Sequence, residues 1–196
     1  MPEDTQLSDS DGVFLVKTAR MAVTEFLSTG KKMKLESERE KKFSFNSGVF
    51  VTLNNADGLR GCIGFPMPDK KLSHGIIDAA IAAATEDPRF SPVKINELNE
   101  IVFEVTVLTP PVEITVTDPM EYLEKIKVGR DGLIIRNSFS SGLLLPQVPV
   151  EYGWNVEEFL QHTCEKAGLE KDTWKNEKVK IEKFEGIVYK ERANGS

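Results

Sequence analysis

The sequence predicts an α+β fold, mostly antiparallel sheet with helices packed on it, and three observations carry that prediction. Gly48 to Asn54 and Leu59 to Phe65 are β-rich runs separated by Asn55-Ala56-Asp57-Gly58, and the Asp-Gly end supplies the positive φ that a tight hairpin needs. Ile101 to Leu108 sets Ile101, Phe103, Val105 and Val107 against Glu104 and Thr106, the period of a half-buried strand. Helical stretches stand between hairpins rather than in regular βαβ units, which argues against a parallel sheet.

The first element is an amphipathic helix from Asp11 to Thr29, with Phe14, Leu15, Ala19, Ala22, Val23, Phe26 and Leu27 on one stripe, Ser10 or Asp11 as N-cap and Gly30 as stop. Lys31 to Lys42 mixes six basic residues with Glu36, Glu38 and Glu40 and has no strong apolar period; it reads as a solvated linker, with a partner-binding patch as the alternative. After the hairpin, Leu72 to Thr85 is an alanine-rich helix ended by Asp87-Pro88, because the residue before proline is pushed out of the α region. Pro110-Pro111 terminates the strand at Leu108. Asp118-Pro119-Met120-Glu121 opens a short helix with a capping box. Gly132 to Arg136 and Gly142 to Leu145 are strands joined by a polar turn, and Asn155 starts a helix that ends at Gly168. Val179 to Tyr189 is the last strand, with Gly186 as a bulge.

With 196 residues, 40% hydrophobic and 29% charged, the chain has an ordinary globular composition, enough for one large domain or two lobes sharing a core. Its two cysteines, Cys62 and Cys164, form no disulfide framework and fit a reducing compartment. No apolar stretch approaches the roughly 20 residues of a membrane span, and the acidic start lacks a signal-peptide pattern, so the expected location is cytoplasmic. Lys+Arg 25 against Asp+Glu 31 leaves a net charge of −6, which opposes general nucleic-acid binding by counterion release.

The most informative segment is the second hairpin strand. Residues two apart share a face, so Arg60, Cys62 and Gly64 are expected on one side and Leu59, Gly61 and Ile63 on the other. Two glycines around a cysteine imply close approach to the backbone, and a guanidinium beside the thiol favours the thiolate, the form that attacks electrophiles. On spacing alone, however, Cys62 reads first as a small buried hydrophobe.

Leu59-Arg60-Gly61-Cys62-Ile63-Gly64 resembles the signature of the AMMECR family. The resemblance extends to Gly48 to Leu53, Asp87-Pro88-Arg89-Phe90, Glu104 to Leu108, Leu144-Leu145-Pro146-Gln147 and Lys166 to Leu169. It implies a prokaryotic-type member with a two-lobed α+β fold, the larger lobe built from both chain ends. It also implies a shared pathway with a Memo-like protein and a radical S-adenosylmethionine enzyme. On this reading residues 12–191 form one AMMECR-type domain, between a disordered acidic stretch 1–11 and a flexible end 192–196.

Arg89 pairs internally with Glu86 or Asp87, or else frames with Arg60 a site for a carboxylate or phosphate. His74 stands at i, i+4 from Asp78, a surface pair or a base near the signature. Gln147 and Glu151 flank a proline-rich turn, where they line a pocket or serve the turn itself. Glu158, His162 and Glu165 share a helical stripe, read as a solvated face. Zinc is poorly supported, because the only candidate ligands are two Cys and two His and His162-x-Cys164 on a helix points its side chains to different faces, and no dinucleotide, Walker A or Gly-x-Ser-x-Gly pattern occurs; no metal or cofactor is expected. Two functions follow. One is a pocket for a small anionic or carbonyl-bearing molecule, with Cys62 as nucleophile or covalent carrier, Arg60 as its activator, and Gly61, Gly64, Arg89, His74, Gln147 and Glu151 as candidate ligand contacts. The other is a non-enzymatic binding or scaffold domain in which Cys62 is structural.

Overall fold

Helix α1 (Asp9–Thr29) begins before its apolar stripe because Ser8, not Ser10 or Asp11, is the N-cap. The Ser8 hydroxyl accepts from Asp11 N–H while the Asp11 carboxylate accepts from Ser8 N–H, a complete capping box. Asp9 to Asp11 are therefore helical, which corrects the disordered reading of that part of 1–11. The structure is a computed structural model that describes residues 7–176 and 179–191; the rest of the predicted disordered start and the predicted flexible end 192–196 lie outside the described residues.

The chain divides into two compact units, Met1–Leu108 with Ile187–Ser196, and Thr109–Gly186. The larger is thus built from both chain ends. In it, β1 (Val49–Asn55) pairs antiparallel with β2 (Gly58–Phe65) on one side and with β3 (Val102–Leu108) on the other. Alternation does the rest: Val49, Val51, Leu53, Phe103, Val105 and Val107 are fully buried, while Phe50, Thr52, Val102, Glu104 and Thr106 are half-exposed on the opposite face. Helix α3 (Leu72–Thr85) packs against β1 and β2, and α1 packs against α3 and β3. The alanines of α3 let it come so close that a Cβ at Gly61 would run into the Ala83 carbonyl oxygen.

Arg20 ties this unit together. Its guanidinium chelates Glu191 through two bonds of 2.6 Å and donates to the carbonyls of Leu98 (2.8 Å) and Ile101 (2.5 Å), while its plane lies 4.6 Å from the Phe103 ring centroid. One side chain thereby joins α1, the approach to β3 and the end of the described chain.

The predicted linker is only partly a linker. Ser37–Lys42 forms a short helix, α2, held from outside its own sequence: Lys42 pairs with Asp11, and Arg39 lies over the Phe14 ring.

In the second unit, β5 (Asp131–Arg136) pairs antiparallel with β6 (Ser141–Leu144) and with the part of β7 (Lys180–Lys190) up to Gly186, and β4 (Val112–Glu113) also joins β7. Asp118 and Glu121 form the expected capping box, leading through a 3-10 turn into α4 (Tyr122–Lys125). Helix α6 (Val156–Lys166) starts on the Asn155 and Glu158 box. Leu133, Ile135, Phe159, Leu160, Cys164, Trp174 and Ile181 form its core. The segment read as a proline-rich turn is instead a helix, α5 (Gln147–Tyr152), closed by left-handed Gly153 at φ 68°. Prolines in its first turns do not break it, since their missing N–H groups have no intrahelical acceptor there. No described helix is long and apolar enough to cross a membrane.

Gly61→Ala is expected to lower stability by roughly 1–3 kcal/mol or more, the range for overpacking a close contact, because the opposing atom is backbone and cannot rotate away. Urea unfolding measures it; an unchanged midpoint would mean that α3 does not need this approach.

Candidate functional site

Strand β2 lies at an edge of its sheet, with β1 on one side only among the described pairings. Cys62 stands opposite Thr52, and Thr52 opposite Glu104 on β3, so the three form a row across the sheet on the face away from α3. The Cys62 Sγ is 3.2 Å from Thr52 Oγ1, and Cys62 is half-buried.

The main chain of Cys62 points to the open edge, and the Asp87-Pro88-Arg89 turn at the end of α3 covers it. Asp87 Oδ2 accepts from Cys62 N–H at 2.8 Å, and Arg89 Nη2 donates to the Cys62 carbonyl at 3.3 Å. The two side chains stand in for a neighbouring strand, satisfying groups that an edge otherwise leaves open. They are also locked to each other, with Arg89 Nε 3.0 Å from Asp87 Oδ1, Nη2 2.7 Å from Oδ2, and Arg89 N–H donating to Oδ1 at 3.1 Å. Asp87 is almost completely buried. The Arg89 guanidinium holds its carboxyl well below the usual aspartate range, against the opposing effect of burial, with help from Cys62 N–H. Of the two readings of Arg89, internal pairing is the one realised, with Asp87.

Arg60 departs from the simple alternation. The β1–β2 register shifts between Leu53 and Asn54, which pair with Gly61 and Leu59, leaving Arg60 as the extra residue of a bulge. The premise that Arg60 and Cys62 share a face by i, i+2 spacing therefore fails. The Arg60 guanidinium instead donates to both Glu97 oxygens (3.0 and 3.3 Å) and to the Ser91 carbonyl (2.9 Å). Arg60 in turn draws the Glu97 carboxyl below its ordinary range, assisted by Lys94 N–H. Glu97 is the site residue that sequence reasoning missed; it lies 37 positions from Arg60, and no local pattern joins them.

Packing accounts for both glycines of the signature: Gly61 faces the Ala83 carbonyl, and a Cβ at Gly64 would collide with the Phe50 ring. His74 lies on α3 with its Nε2 3.3 Å from Glu40, not paired with Asp78, whose carboxylate takes Lys32 (2.8 Å) and Lys70 (3.2 Å). Gln147 and Glu151 are exposed on α5, in the other unit. The stripe read as plain solvated face is more ordered than expected, since His162 stacks on Trp154 at 3.8 Å and pairs with Glu165 at 2.8 Å. Among the described residues no group of three or more His, Cys, Asp or Glu is arranged to hold a metal ion.

The clamp has a pH signature. A carboxyl whose pKa is depressed by folding adds stability that is present above its unfolded value of 3.8 and is lost as pH falls through the lower folded value. Asp87→Asn is expected to cost about 1–3 kcal/mol at neutral pH, the scale of a charged hydrogen bond, and the gap from wild type narrows as pH drops below about 3.8. Urea unfolding across pH 2–7 measures both, and a gap independent of pH would rule out the ion pair as its source.

Residues 16–189 match the AMMECR1 family model. Protein MJ0810 of Methanocaldococcus jannaschii is 52% identical over 187 residues, covering 94% of this chain and 92% of that protein. Protein PYRAB00100 of Pyrococcus abyssi is 49% identical over 191 residues, with 95% and 93% covered. The crystal structure of PH0010 from Pyrococcus horikoshii superposes with a TM-score of 0.76 at 49% identity, over 95% of this chain and 94% of that one. The signature strand, its covering Asp-Pro-Arg turn and the fold that carries them are those of a chain that belongs to the AMMECR1 family.

Proposed function

We propose that the outer sheet face around Cys62 binds a small carbonyl-bearing molecule, with the Cys62 thiol as the reacting group. The observation that carries this reading is the division of labour at Cys62, a half-buried residue: its N–H and C=O are held by Asp87 and Arg89, while its thiol has the Thr52 hydroxyl beside it. A fixed backbone with an accessible thiol is the arrangement a nucleophile needs. Sγ adds to the carbonyl carbon as the C=O π bond opens, and the thiol proton passes to the carbonyl oxygen, giving a hemithioacetal. The Thr52 hydroxyl is placed to donate and accept along that proton's path. Arg60 and Arg89 already have carboxylate partners, which favours a neutral carbonyl over an anionic ligand and makes both arginines positioning residues. Action beside Memo-like and radical S-adenosylmethionine proteins belongs to the same proposal, supported by the family resemblance alone.

The alternative, a non-enzymatic binding or scaffold domain, is favoured by one observation: packing and internal pairs account for Gly61, Gly64, Arg60 and Arg89 without a ligand. Thiol chemistry separates the two. Cys164 is fully buried, and burial pushes its thiol up to about 11, so it is an internal standard for an inert cysteine. In the folded protein iodoacetamide is expected to label Cys62 at least about tenfold faster than Cys164, and methylglyoxal is expected to protect Cys62 reversibly. Cys62 that stays unlabelled until the protein unfolds would establish the scaffold reading.

A further inference from the structure

The charged segment Lys31 to Lys42 takes no part in the Cys62 site, yet the fold gives it a defined surface. Arg39 and Lys42 of α2 face the start of α1 across a hollow of about 320 Å³, lined by Ser10, Asp11, Val13, Phe14, Lys17, Arg39 and Lys42. Three cations thus converge against one carboxylate, on a chain whose net charge is −6.

The one carboxylate is already committed. Asp11 is buried, accepts from the Ser8 hydroxyl (2.8 Å) and Ser8 N–H (3.1 Å), and pairs with Lys42. Of the two glutamates of α2, Glu40 turns to His74, while Glu38 does not line the hollow. Among the described residues Lys17 and Arg39 have no carboxylate partner within ion-pair distance. Arg39 is nevertheless held: its guanidinium lies 4.6 Å from the Phe14 ring centroid, and Phe14 is itself backed by Phe43 in a parallel stack at 5.4 Å. A guanidinium fixed on an aromatic ring with its donor edge uncommitted is preorganised for a planar or tetrahedral oxyanion. Exposed Val13 and the Phe14 edge add an apolar wall.

We propose that the hollow between α1 and α2 binds a small multivalent oxyanion, a phosphate- or carboxylate-bearing molecule, held by Arg39, Lys17 and Lys42. The volume sits at the low end for ligand sites and fits a small molecule. None of the lining residues belongs to the Cys62 cluster, so this site stands or falls independently of the carbonyl reading.

Titration of the full-length 15N-labelled protein with inorganic pyrophosphate and, separately, citrate tests it by amide chemical shifts. Saturable shifts are expected in Ser10 to Lys17 and Ser37 to Lys42, weakening as salt is raised, and the anion that binds more tightly identifies phosphate or carboxylate as the preferred group. Arg39→Gln and Lys17→Gln, both at exposed positions, are each expected to weaken binding about tenfold or more, the scale of a charged hydrogen bond. Shifts that fail to saturate with either anion, that scatter over the surface, or that persist unchanged in Arg39→Gln would overturn the proposal.

Discussion

The Asp87 carboxylate is the constraint on which the larger unit's chemistry depends. It is buried where a lone charge is costly, and it survives there because each of its lone-pair directions meets a donor: the Arg89 side chain, Arg89 N–H and Cys62 N–H. Through those bonds it fixes the exit of α3, terminates the sheet at β2 and sets the position of Cys62. Glu97 does parallel work on Arg60, one bulge further along the same strand. Two acidic residues therefore hold Arg60 of the strand and Arg89 of the turn that covers it.

What was legible in the sequence follows the range of the interaction that creates each element. The hairpin, α3 and β3 rest on turn residues, alanine packing and strict alternation, all visible within a few positions, and they stand where those signals put them. Helix α2 was not legible because its support is distant: Asp11 and Phe14 lie on another helix, and nothing within Ser37–Lys42 supplies an apolar stripe. Helix α5 was hidden by Pro146 and Pro149, which look like turn residues until their place in the first turn is known.

The candidate site divides in the same way. Cys62 and its flanking glycines stand out in the sequence because glycine in a strand requires a reason. That reason is the approach of α3 on one side and the Phe50 ring on the other, which no spacing rule reveals. The bulge at Arg60 undoes the alternation that joined it to Cys62, since a single inserted residue reverses every face assignment beyond it. Thr52 was within the recognised β1 motif, but its contact with the thiol depends on the β1–β2 register.

Once the structural duties are assigned, two neighbouring side chains on the outer sheet face have no charged partner, the Cys62 thiol on the signature strand and the Thr52 hydroxyl on β1. The cationic attraction expected there is neutralised locally, while unpaired cations gather instead on α1 and α2. Arg39, in the segment with the weakest secondary-structure pattern, has no carboxylate partner among the described residues. The strand with the strongest motif has its Cys62 backbone held by Asp87 and Arg89. Rigid placement of one polarizable sulfur suits a neutral electrophile approaching along the open sheet face, and a stacked guanidinium with an uncommitted donor edge suits an oxyanion. On the two proposals the surfaces select for different ligand chemistries, and the division follows from the pairing of Arg60 with Glu97 and of Arg89 with Asp87.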